Sequence, residues 1–327
     1  MKVLALTVGD GNVASTQYRL GQFADSLRNL GIELCLVQAA SFRDYESLDG
    51  WDLVIIQKRL SSASWVGKIR KGARKLIFDT DDAIWEPHGR RHSWWTRVRT
   101  AHRLRAVVRA ADSCTVANEQ LARFLRPMAR HVDLVPMALD DNYWKPEPSR
   151  HPGPIRIGWV GAPPNLGYLS RLGAVIHKVQ ALRPATELLV YCGMPPVWPC
   201  KVKSVHHPYK SGTECAVVRS FDIGLLPLPD SAFGAGKSPI KALQYAACGI
   251  PCIASPVGAT TSIVLNGETG ITASTDEEWQ NALLRLIDDG DLRRTMGAAA
   301  RERFLNLHSL ASVQRRMVDC WRTVAEI

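Results

Sequence analysis

Lys237, Ser238 and Gln244 lie in the stretch whose residue types and spacing carry the most chemistry. In FDIGLLPLPDSAFGAGKSPIKALQYAACGIPCIAS an apolar strand ends near Pro227, and a loop of small residues leads to Lys237. Ser238-Pro239 then opens a helix that Gly249 closes. Serine is a favoured cap, proline a favoured first-turn residue, and glycine tolerates the left-handed turn that ends a helix. The first N–H groups of a helix lack intrahelical acceptors and lie at the positive end of its dipole, so this start attracts phosphate. The ammonium of Lys237 directly precedes it, and Lys241 and Gln244 follow on one side of the helix. The segment therefore reads as a holder for a diphosphate at one end and sugar hydroxyls at the other.

Three further stretches could do chemistry. IFDTDDAIW places Asp79, Asp81 and Asp82 together, and carboxylates this dense repel one another unless a cation, a ligand or water offsets them. The pattern mimics the D-x-D of haloacid-dehalogenase-type phosphatases and of metal-dependent transferases. Against the phosphatase, Ala83 stands where Thr or Val belongs and the motif follows the fourth strand, not the first. A capping role for Asp79 or Asp82 stays open. GDGNVA, Gly9 to Ala14, fits the G-x-G-x-x-A dinucleotide fingerprint, but the acidic residue that should close the second strand is missing: Glu33 opens it and its far end reads Val37, Gln38, Ala39. A structural or other-ligand role is expected of this loop before NAD binding. Finally, RRHSWWTRVRTAHRLRAVVR carries Arg90, Arg91, Arg97, Arg99, Arg103, Arg105 and Arg109 with no acidic residue. Trp94, Val98, Ala101, Leu104 and Val108 give it one apolar face at helical period. Two readings remain, a helix resting on anionic lipid or a solvated arginine face packed on its own domain. Nucleic acid is disfavoured, because the aromatics are not interleaved through a sheet or groove.

The elements that must position these residues follow from apolar runs alternating with helical segments, the signature of parallel strands joined by crossover helices. VLALTV, IELCLV, DLVIIQ, KLIFDT, SCTVAN and VDLVPM predict the strands of a first domain. IRIGWVG, TELLVYCG, SFDIGLLPL and IPCIAS, with an edge element over 266–273, predict those of a second, and residues 276–327 read as helical. The proline-rich DDNYWKPEPSRHPGP between them marks a linker. At 327 residues the chain exceeds what one core usually serves, and the expected division is 1–148 and 149–309. Open parallel sheets bind ligands at the carboxyl ends of their strands, so two facing sheets imply a cleft. The net charge of +10 favours an acidic partner. No apolar run reaches bilayer-spanning length, and MKVLALTVGDGN is expected to be a buried strand, not an export signal. The eight cysteines show no metal-ligand spacing, which predicts reduced core thiols.

The segments ACGIPCIAS and PVGATTSIV, behind the helix that holds Gln244, resemble the GT-B glycosyltransferases of family 4 almost residue for residue. The resemblance extends over most of the chain, through ASTQYRLGQFADSLRNLGIEL, ADSCTVANEQLARFL, VDLVPMALDDNYWKP and IGWVGAPPNLGYL. It implies an α/β fold of two Rossmann-like parallel-sheet domains facing across a cleft, the last helix, 310–327, returning to the first. It also implies retaining transfer from a nucleoside-diphosphate sugar to a hydroxyl-bearing acceptor, a glycan or lipid-linked glycan, in polysaccharide biosynthesis. Gln244 stands where the family's second glutamate binds the ribose, and an amide still hydrogen-bonds a diol. Gly236 takes the place of the first glutamate, and Asp81 and Asp82 stand where many members carry a catalytic His and an Asp. Asp81, Asp82 and Lys237 are thus the expected catalytic residues. Gly161, Asn165, Lys237, Ser238, Lys241 and Gln244 are expected at the donor, and Arg19 and Asp79 on the acceptor side. No metal and no cofactor beyond the donor substrate is expected. A cytoplasmic location follows, with peripheral contact to the inner membrane face through 90–109 as one reading. The alternatives are a non-catalytic sugar-nucleotide-binding protein and an NAD(P)-dependent oxidoreductase.

Overall fold

The structure, a computed structural model, describes residues 1–10, 13–87, 93–146 and 153–326. Gly11 and Asn12 of the Gly9–Ala14 motif, Arg90 and Arg91 of the basic stretch, residues 147–152 of the linker and Ile327 lie outside the described residues. Two compact units divide the chain: 1–138, 235–238 and 310–327 form one, and 139–234 and 239–309 the other.

In the first unit the apolar runs become β1 (Lys2–Thr7), β2 (Glu33–Gln38), β3 (Leu53–Gln57), β4 (Leu76–Thr80), β5 (Ser113–Val116) and β6 (Val132–Leu134). They form one parallel sheet in the order β2-β1-β3-β4-β5-β6. Both faces of such a sheet are covered, which is why these runs are continuously apolar instead of alternating. Leu4, Leu6, Val54, Ile56, Leu76 and Phe78 point to one face, against Val66, Ile69, Leu104 and Val107. Their neighbours Val3, Ala5, Leu53, Ile55 and Ile77 point to the other, where Leu20, Phe23 and the helix Leu310–Glu326 pack through Val313, Met317 and Trp321.

The second unit contains β7 (Ile155–Val160), β8 (Thr186–Cys192), β9 (Ser204–Pro208), β10 (Ile223–Leu226), β11 (Cys252–Ala254) and β12 (Gly270–Thr272). Its parallel sheet runs β12-β11-β10-β7-β8-β9. This is the order of a dinucleotide-binding fold, in which the chain reverses direction across the sheet between the first and fourth strands, here β7 and β10. The first unit reverses between β1 and β3. β9 is an addition to the sequence reading: it pairs with β8 on one side only, and its residues are half-buried or exposed. An edge strand of this kind lacks the apolar run that announces an interior one.

Two glycines, Gly158 and Gly224, face each other at the last paired rung of β7 and β10. A Cβ on Gly158 would lie 2.0 Å from the Phe221 ring, and one on Gly224 2.5 Å from the Tyr245 ring. Beyond that rung the Tyr245 hydroxyl accepts from the Val160 N–H and donates to the Leu225 carbonyl, both at 3.2 Å. Tyr245 belongs to the helix Ile240–Ala247, which this bond fixes beside the end of β7. All eight cysteines are unpaired, six of them buried. Among the described residues no helix is long and apolar enough to cross a membrane.

Candidate functional site

In the first unit the chemistry gathers where β1, β3 and β4 end. Immediately after β3, Lys58 adopts φ +49°, the left-handed region that L-residues other than Gly seldom occupy. Its N–H donates to the Asp79 carbonyl at 2.7 Å, and this carries the side chain across the ends of the strands. Lys58 Nζ lies 3.0 Å from Ser15 Oγ, 2.5 Å from Asp82 Oδ2 and 3.0 Å from Asp81 Oδ1. The Asp81 contact is an ion pair whose geometry falls short of a directed hydrogen bond. Sequence reasoning missed Lys58 altogether. Only the demand that Asp81 and Asp82 need a counter-ion hinted at such a cation, and nothing local pointed to which lysine supplies it.

Ser238 completes this cluster in a way that corrects its expected role. The helix begins at Ile240, with Pro239 in the capping position and no side-chain cap. The Ser238 hydroxyl instead donates to the Asp81 carbonyl at 2.5 Å, and its N–H to Asp82 Oδ1 at 3.2 Å. The carboxylate and the backbone at the end of β4 thus compete successfully for the groups that would have capped the helix. Gly236, in the position of the missing glutamate, is buried against Ala83; a Cβ there would fall 2.3 Å from Ala83 Cβ. Packing alone forbids a side chain at that position.

Half-buried Lys237 joins the cluster electrostatically. Burial holds its pKa below the ordinary lysine value; Asp82 opposes that shift and Lys58 adds to it. Burial would lower Lys58 as well, but Asp81 and Asp82 outweigh it and raise its pKa. Burial, with the Asp82 charge, raises that of Asp81 against the pull of Lys58. The arrangement is two carboxylates and two ammonium groups in a partly dry recess, with Asp81 Oδ1 paired to Lys58 by charge and not by a directed hydrogen bond.

Arg19 and Asp79 lie apart from this recess, in the interior. Arg19 Nη2 and Nε donate to the Asp79 carboxylate at 2.8 to 3.1 Å, Nη1 donates to the Val135 and Pro136 carbonyls, and Thr115 donates to Asp79 at 2.6 Å. Both side chains are at most 4% exposed. They clamp the segment after β6 to β4 and present nothing to solvent. Asp79 therefore does not converge with Asp81 and Asp82, and among the described residues no group of three His, Cys, Asp or Glu side chains could hold a metal ion.

In the second unit, Gly161 follows β7 with its N–H donated to the Tyr191 carbonyl at 3.1 Å, and Asn165 closes the short turn Pro163–Asn165. Lys241 and Gln244 lie on the helix Ile240–Ala247. Gln244 is 1% exposed, and its Oε1 has no hydrogen-bond partner. A buried amide oxygen left unmatched costs about 1–3 kcal/mol, a penalty an arriving donor would remove. Beside the reversal point a cavity of about 220 Å³ opens at the ends of β10 and β11. Tyr168, Arg171, Pro227, Ser255, Asp276 and Trp279 line it. Arg171, the cation of that lining, was not among the expected residues.

Residues 174–319 match the family model described as glycosyl transferase-like. A D-inositol 3-phosphate glycosyltransferase from Arthrobacter sp. (strain FB24) is 34% identical over 98 residues, 29% of this chain and 22% of that protein. A glycogen synthase from Mycobacterium tuberculosis is 27% identical over 238 residues, 65% of this chain and 55% of that one. Among solved structures, a sucrose-phosphate synthase from Thermosynechococcus elongatus superposes with a TM-score of 0.73 at 16% identity, covering 98% of both chains. Over residues 174–319 the chain thus resembles glycosyl transferase-like proteins, and over 98% of its length it shares the two-sheet fold of that synthase. Another structure of this fold, Anabaena HepE in complex with UDP and glucose, matches with a TM-score of 0.66 at 13% identity over 99% of this chain and 100% of that one. The matched segments span only about a quarter of the D-inositol 3-phosphate glycosyltransferases, 22% to 28% of their length.

Proposed function

We propose that this chain transfers a sugar from a nucleoside-diphosphate sugar to a hydroxyl of a glycan acceptor, with retention, as a family 4 member of group 1 acting in polysaccharide synthesis. The observation that carries this reading is the polar cavity at the ends of β10 and β11, together with the unmatched Gln244 oxygen in the same unit. Sheets of this order bind nucleotides at the point where the strand order reverses. Arg171 supplies a cation, Ser255 a hydroxyl and Trp279 an apolar wall. Gln244 accepts a hydrogen bond from a ribose hydroxyl. Negative charge grows on the leaving diphosphate as the glycosidic bond breaks, and preorganised donors stabilise it most effectively. Lys241 and Arg171, both in the second unit, are the cations assigned to it. In the first unit Asp81, whose Oδ1 has the charge of Lys58 beside it but no directed hydrogen bond, accepts one from a sugar or acceptor hydroxyl, while Lys58 and the Ser238 N–H hold Asp82 in place.

The test is a thermal-shift titration of the full chain with UDP, GDP, ADP and dTDP, repeated on Arg171→Ala and Gln244→Leu. One nucleotide is expected to stabilise the wild type by about 2.7 kcal/mol at a hundredfold excess over its Kd, and a variant with a tenfold weaker Kd by only about 1.4 kcal/mol. If none of the four stabilises the protein, or if the variants respond as the wild type does, the donor assignment is wrong.

A further inference from the structure

We propose that the outer half of the helix Trp94–Ala110 docks this protein on an anionic lipid surface. The helix is anchored through its second half, where Leu104, Val107 and Val108 are buried in the core. Its first half stands off the core. Trp94 is 62% exposed, Trp95 74% and Val98 51%. The two indoles meet edge to face with centroids 3.9 Å apart. Two neighbouring indoles held in water are an unfavourable arrangement for a protein with nothing to cover them, and the headgroup zone of a bilayer is where tryptophan partitions.

The charges around them point to the same partner. Arg97, Arg99, Arg105 and Arg109 are exposed, and no acidic residue occurs from Trp94 to Ala110. Among the described residues none of these four arginines forms an ion pair or side-chain hydrogen bond. Arg97 and Arg99 lie near the helix N-terminus, where the dipole disfavours positive charge and no acidic residue offsets it. An external anionic surface removes that conflict. A second copy of this chain would bring the same arginines against one another. Single-stranded nucleic acid is bound by ring faces set in succession along a groove, and here one indole's edge covers a face of the other. Since no described helix can span a bilayer, the contact is peripheral.

The experiment is cosedimentation of the full chain with vesicles of phosphatidylcholine alone and of phosphatidylcholine mixed with phosphatidylglycerol. The wild type is expected to bind the mixed vesicles more tightly and to be released by added salt. Arg97→Gln and Arg99→Gln should each weaken that binding about fivefold and leave the weak binding to neutral vesicles unchanged. Trp94→Ser combined with Trp95→Ser should weaken binding to both kinds of vesicle, roughly tenfold or more. These side chains are exposed, so unchanged melting temperatures identify the losses as surface effects. The salt response of the wild type tests the charge argument with no variant at all. Equal binding to neutral and anionic vesicles, variants that bind like the wild type, or capture of a single-stranded oligonucleotide with no vesicle binding would each overturn the assignment.

Discussion

Replacing Lys58 with methionine should destabilise the first unit more than almost any other single polar substitution in it. The ammonium lies 3.0 Å from Asp81 and 2.5 Å from Asp82, with Lys58 and Asp81 side chains 14% and 7% exposed and that of Asp82 24%. At an effective dielectric near 20 each attraction is about 6 kcal/mol, most of it offset by the desolvation of the three groups. Removing the cation alone leaves two carboxylates in the recess and should cost about 3–5 kcal/mol. Lys58→Gly loses the same charge but relieves the left-handed backbone, so it should be roughly 1 kcal/mol more stable than Lys58→Met. Combining Lys58→Met with Asp81→Asn and Asp82→Asn should recover most of the loss. Guanidinium unfolding followed by circular dichroism measures all four proteins. The pH dependence has a defined sign. The folded-state pKa of Lys58 is raised, so its contribution is complete below the ordinary lysine pKa and lost only as pH climbs through the raised value. A Lys58→Met protein within about 1 kcal/mol of wild type, or a triple variant no better than the single one, would refute this account of the cluster.

Gly236→Ala should cost about 1–3 kcal/mol by overpacking against Ala83, with Ala83→Gly in the same chain restoring the melting temperature; no rescue would place the strain elsewhere. Gln244→Leu removes an unmatched buried oxygen, so stability should hold or rise while nucleotide affinity measured by calorimetry falls about tenfold. Lys237→Met should leave stability at neutral pH unchanged or raised, because burial lowers the pKa of this lysine. With a depressed folded-state value, wild-type stability increases with pH between that value and the ordinary lysine pKa, so the two proteins should converge on the alkaline side in a pH series of melts. Thr275→Ala removes one half of the capping box with Glu278 and should cost about 1 kcal/mol by thermal melting.

The strands were readable because parallel sheets buried on both faces demand uninterrupted apolar runs, and those runs are local. β9 escaped because Val205 and its histidine neighbours face outward at an edge. The site was legible in part. Asp81 and Asp82 announced themselves by adjacency, but their counter-ion stands 24 residues away from Asp82 in a conformation that no local preference gives a lysine. Ser238 was read as a helix cap by its neighbours in sequence; partners 156 and 157 positions away claim it instead. Arg19 and Asp79 show the converse, since residues with the chemistry of an acceptor site are used to join two segments in the interior. In each case the deciding contact is long-range, which neither composition nor spacing records.

The tyrosine hydroxyl between β7 and β10 has a bearing on how firmly the ends of these two strands are held. Past Gly158 and Gly224 the two strands separate, and the phenol oxygen takes up the loose ends of both. The strands are thus wedged apart by an aromatic ring that fills the space between them. Prising the strands open is work already done during folding, so the divergence of their ends is held by the protein's own packing.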